Sequence, residues 1–170
     1  MTATLAKRTV SATVMTNVAV DRDTAFAVFT EEIGAWWLRG PRYRNDGAPS
    51  TMKLEPRLGG RLLQIYDDGR EPFSFGTLIV WEPSTRFVLE WRLSNFAPDE
   101  ATEVEARFEP TETGTRVVVT HSGFHELRID HPARHGLDGF GLSRMLGTWW
   151  GEQASSFRAR ALAEKKKNQG

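Results

Sequence analysis

The chain has 170 residues, 22 basic and 22 acidic side chains, 39% hydrophobic residues and no cysteine. That length suits one domain of ~100–200 residues, with a core spanning about residues 9–164 and flexible ends at 1–8 and 165–170, and argues against disorder. The missing cysteine excludes disulfides and thiolate metal centres, zero net charge disfavours a nucleic-acid partner, and neither a signal peptide nor a membrane-length apolar run is present, so a cytoplasmic protein with no membrane partner is expected.

Residues 9–20 alternate, with Val10, Ala12, Val14, Val18 and Val20 on one side, which is the period of a half-buried strand. Asp21 then stands as the cap of a helix carrying Asp23 in its first turn and Phe26 and Phe29 on one face. Thr30 is expected to cap a second short helix, with Glu31 and Glu32 suited to its N-terminus and Gly34 ahead of Trp36 and Trp37. Residues 38–50 hold two glycines, two prolines and Arg39, Arg42 and Arg44 without any apolar period, and are expected to form a mobile loop.

Six strands follow, over residues 51–55, 61–66, 73–81, 86–93, 101–109 and 115–121. The links between them are too short for parallel crossovers, so an antiparallel meander is expected. Pairing Trp81 with Phe87 puts Ile79 opposite Leu89, Thr77 opposite Trp91 and Phe75 opposite Leu93 on one face. Pairing Glu109 with Arg116 puts Phe108 beside Val117, Ala106 beside Val119 and Val104 beside His121. The other face is mostly charged, apart from Leu78, Val80 and Val88, which suit a homodimer contact, a protein partner or cover by a terminus. For residues 61–66 either parity is open, because Leu62 and Leu63 are both apolar. After an irregular segment at 122–142, Leu146, Trp150, Ala154, Phe157 and Ala161 mark one stripe of a helix over 143–164, which should lie across the apolar face of the sheet.

Several phrases in this order resemble one family. They are Val20-Asp21 with Phe26, Thr30 and Trp36-Trp37; Pro56-Arg57-Leu58-Gly59-Gly60-Arg61; and Gly76 with Trp81-Glu82-Pro83, Arg86-Phe87 and Trp91. Gly114-Thr115-Arg116, Thr120-His121-Ser122-Gly123-Phe124 and Trp150 continue the series. Over about residues 11–162 the chain resembles the heat-shock-protein-90 ATPase activator homologues, within the START-like superfamily. The resemblance implies an α+β helix-grip fold of the Bet v type: a seven-stranded antiparallel sheet curved around a long C-terminal helix, with two short helices after the first strand. It implies a cavity between sheet and helix but no single activity. Co-chaperones of the family carry a further domain for which this sequence has no room, and residues 125–141 are longer than the usual connection.

An apolar or aromatic small molecule is the expected ligand, with Phe75, Thr77, Trp91, Phe108, His121, Trp150 and Phe157 as the pocket and Gln64 or Tyr66 as further polar groups. A solid core is the plainer alternative for these aromatics. His121 is the candidate acid or base of an alternative cyclase, dehydratase or hydrolase; against that stands a core histidine bonded to Ser122 or to backbone. His121, His125, His131 and His135, with Glu126, Asp130 and Asp138 among them, lack the spacing of a zinc site, and neither metal nor cofactor is expected. Ser122 lacks a nucleophile elbow, and the glycines at 136, 139 and 141 do not follow a strand as a nucleotide loop would. Arg39, Arg42 and Arg44 are either solvated or guide an anion to the cavity mouth. A chaperone is the remaining protein partner that the resemblance suggests.

Overall fold

In the computed structural model, which describes residues 11–93, 96–124, 127, 130–137 and 139–169, the first alternating segment forms a shorter strand than expected, β1 (Ala12–Val18), with Val20 beyond its end and Val10 outside the described residues. Asp21, three residues past the end of β1, caps α1 (Arg22–Thr30), its carboxylate accepting from the Thr24 amide at 2.7 Å. Thr30 does not cap the next helix as expected. It is buried and its hydroxyl donates to the Phe26 carbonyl at 2.7 Å, so it closes α1 instead. The short α2 (Ile33–Trp36) therefore starts without a side-chain cap.

The strands β2 (Ser50–Leu54), β3 (Arg61–Tyr66), β4 (Phe73–Glu82), β5 (Arg86–Trp91), β6 (Thr102–Thr111) and β7 (Gly114–Ser122) complete one antiparallel sheet in the order β1-β7-β6-β5-β4-β3-β2. Consecutive strands β1 and β2 thus lie on opposite edges, so α1, α2 and the following loop must cross from one edge to the other. The last helix, α3 (Gly139–Gln169), starts four residues earlier than the stripe predicts and takes up residues 165–169, which were expected as a flexible tail. This is the helix-grip arrangement. No helix among the described residues is long and apolar enough to cross a membrane. The expected flexible start at 1–8, and His125, Glu126 and Asp138, lie outside the described residues.

Hairpin β6–β7 has the expected register, Val104 opposite His121 and Phe108 opposite Val117. Hairpin β4–β5 begins as expected, with Trp81 opposite Phe87, and then slips at Ile79. A β-bulge leaves Ile79 unpaired and 43% exposed, so Leu78 faces Leu89 and Gly76 faces Trp91. Thr77 is therefore opposite Glu90 on the outer face, not beside Trp91 in the pocket. The same slip turns Leu78 into the core and removes it from the supposed outer patch. Parity in β3 is settled by pairing: Leu62, Gln64 and Tyr66 share the face of Leu54, Met52 and Ser50.

The interior is filled unevenly. At the level of Phe87, Phe108 and Val117, rings from α1, α2 and α3 interlock with the sheet. Phe29 lies 5.5 Å from Phe108, 4.8 Å from Trp36 and 5.1 Å from Phe157, and Phe26 lies 5.2 Å from Trp81. Such edge-on and tilted ring packing fills this level, and each pair contributes about 0.5–1.5 kcal/mol beyond area burial. A smaller cluster of Ala12, Phe124, Leu127, Leu142 and Leu146 joins the start of α3 to β1. Between these masses lies the other end of the strands, where Trp91, Thr102 and His121 point inward.

Candidate functional site

The inward residues at that end line a cavity of about 510 Å³. Its floor is Phe75, Trp91 and His121 from the sheet, and α3 supplies Met145, Leu146 and Trp149. Leu93, Phe96 and Phe124 close its sides, while residues 41–45 and Ala133 and His135 form its rim. The volume falls within the ~300–1,000 Å³ of small-molecule sites, and the walls are mainly apolar, as in such sites.

Of the seven residues expected in the pocket, Phe75, Trp91 and His121 border this cavity. Trp150 stands behind it, bonded to His121. Phe108 and Phe157 are brought together in the filled end, 2% and 0% exposed, and Thr77 is on the other face of the sheet. Gly76, opposite Trp91, lets the backbones of β4 and β5 approach closely. A Cβ there would meet the Glu90 carbonyl oxygen at 1.9 Å, and φ of +148° is itself a glycine conformation.

His121 is buried, and both its ring nitrogens are engaged. Trp150 Nε1–H, which can only donate, lies 3.1 Å from Nδ1; Nε2 must then carry the proton and donate to Thr102 Oγ1 at 2.8 Å. The partners are thus Thr102 and Trp150, not Ser122 or backbone. Burial lowers the imidazole pKa from 6.5 to about 3, so the ring is neutral throughout the physiological range. His131 braces the mouth of the cavity instead. Its Nδ1 accepts from the Ala133 amide at 3.0 Å, capping the 3₁₀ turn Pro132–Arg134. Its ring packs 4.6 Å from Phe96, and Nε2 lies 3.3 Å from a Glu100 carboxylate oxygen. His135 is exposed at the end of that turn. Among the described residues no three His, Asp or Glu side chains gather as metal ligands.

The loop at 38–49, expected to be mobile, is pinned at both ends. Arg44 is buried and donates to the carbonyls of Trp37 (3.2 Å), Leu38 (3.2 Å) and Ser50 (2.8 Å) and to Ser50 Oγ (3.1 Å). Gln64 accepts from the Asn45 amide, and Tyr66 and Asp46 bond nearby, so these two polar residues hold the loop rather than line the cavity. From α3, Gln153 accepts from the Leu38 amide, Trp149 Nε1 donates to the Arg42 carbonyl at 2.9 Å, and Tyr43 bonds Glu152. Arg39 remains exposed and Arg42 lies 3.4 Å from Glu152. Sequence reasoning did not separate Arg44 from its two neighbours in the loop, and it missed Trp149 as part of the site. Trp149 had one available signal: it adjoins Trp150 on α3 and so borders the same apolar stripe.

The fold has counterparts among solved structures. A Staphylococcus aureus protein of unknown function aligns with a TM-score of 0.64 at 10% identity, covering 92% of this chain and 96% of its own. A Mesorhizobium loti protein aligns at 0.61 and 18% identity, covering 88% and 95%. An AHSA1-like protein from Aeromonas hydrophila aligns at 0.60 and 16%, covering 91% and 94%. No curated protein matches the chain. The sequence model of the Activator of Hsp90 ATPase homolog 1-like proteins matches residues 19–141, a span from the end of β1 to the start of α3, and the chain belongs to that family.

Proposed function

We propose that the protein binds an apolar or aromatic small molecule in the cavity between the sheet and α3, without catalysing a reaction on it. The observation that carries this reading is the uneven interior: one end is packed solid with rings, while the other keeps about 510 Å³ behind a pinned loop. A space of this size with mainly apolar walls is the kind that small molecules occupy. The state of His121 supports binding over acid–base chemistry. Its lone pair is held by Trp150, its proton by Thr102, and a pKa of about 3 makes it a weak base at neutral pH. Of the apolar residues expected on the outer face for a protein partner, Leu78 packs inside.

The test is titration with the neutral fluorophore N-phenyl-1-naphthylamine, whose emission rises in apolar surroundings. The wild type should bind it saturably, and Ala133→Trp, which fills the rim of the cavity, should weaken binding by at least about tenfold, or ~1.4 kcal/mol. No saturable binding, or equal binding by a folded Ala133→Trp variant, refutes the reading.

A further inference from the structure

Among the described residues, two that border the cavity are arginines and none is a carboxylate. Arg42 is exposed, and its charge is answered by Glu152 at 3.4 Å. Arg44 differs. It is 5% exposed, its donors rest on three backbone carbonyls and one hydroxyl, and among the described residues no carboxylate lies within 4 Å of it. Carbonyl dipoles satisfy its hydrogen bonds but leave a full positive charge in a poorly solvated place, with Arg39 adding like charge. Buried arginines are ordinarily paired with an anion.

Resting on the reading that the cavity binds a small molecule, we infer that its ligand is an amphipathic monoanion, an aromatic or aliphatic carboxylic acid. The carboxylate lies at the rim formed by residues 42–45, held by the field of Arg44 and assisted by Arg42. The hydrocarbon body lies against Trp91, Phe124, Leu146 and Trp149. A neutral ligand of the same shape would gain the apolar contacts and leave the Arg44 charge unanswered. Because the guanidinium is fixed by Trp37, Leu38 and Ser50, it is already oriented before the anion arrives, and little ordering entropy is spent on binding.

Calorimetric titration of the wild type with 2-naphthoate and with its neutral isostere 2-naphthamide separates the two claims. Naphthoate should bind at least about tenfold more tightly. In Arg44→Gln, which removes the charge and keeps an uncharged amide donor, that preference should fall to about twofold or less. If the amide binds as well as the acid, the anion assignment fails while the cavity reading stands. If neither binds, both fail. A preference for the acid that survives in a folded Arg44→Gln variant overturns the role of Arg44. If that variant does not fold, the wild-type comparison still decides whether the ligand is an anion.

Discussion

His121 shows how two neighbours fix the state of a titratable side chain. Trp150 has only a proton to offer and so selects the Nε2–H tautomer, and burial keeps it neutral. The sign of the pH effect follows from this. The unfolded imidazole takes up a proton near pH 6.5 while the folded one waits until about 3, so the unfolded state binds more protons between them. Stability from this residue is present above pH 6.5 and is lost as pH falls toward 3. Between pH 7 and pH 5 the loss is about 2 kcal/mol. His121→Gln can donate to Thr102 and accept from Trp150 without titrating, so its urea midpoint should fall less over that interval. Parallel losses in the two proteins would show that the ring is not held neutral.

Within the elements, two glycines on the same chain should respond in opposite directions. Gly147 lies inside α3, and a Cβ there would meet nothing within 4 Å, so Gly147→Ala should stabilise by about 0.5–1 kcal/mol through the lower entropy of the unfolded chain. Gly76→Ala should destabilise by roughly 2–5 kcal/mol, because its Cβ would overlap the Glu90 carbonyl in a conformation that alanine avoids. Urea denaturation measures both; a neutral Gly76→Ala would mean that β4 and β5 are less closely paired than Gly76 opposite Trp91 requires. Much of this layer is legible in the sequence. Turn residues and alternation locate every strand to within about two residues except the start of β1. The bulge at Ile79 is not legible, because a run of Leu78, Ile79 and Val80 fits either parity and only the packing of Leu78 and Trp81 on the same side selects one.

Across the whole molecule, aromatic content foretells an aromatic interior but not its division into a filled and a hollow end. Phe108 and Phe75 have the same character in sequence. They differ because Phe108 lies at the level where Phe26 and Phe29 of α1 reach down, whereas Phe75 lies beyond that helix. Arg44 and Arg39 likewise look alike in one loop, and only the turn of the chain past Trp37 and Ser50 buries the first. The six tryptophans make this division measurable, since each indole N–H gives one resonance that substitution to Phe can assign. On adding a neutral naphthalene ligand, the indole resonances of Trp91 and Trp149 at the cavity should shift most, while those of Trp36 and Trp81 in the filled end stay in place. Shifts centred on Trp36 and Trp81, or none at Trp91 and Trp149 at saturating ligand, would contradict a binding site between the sheet and α3.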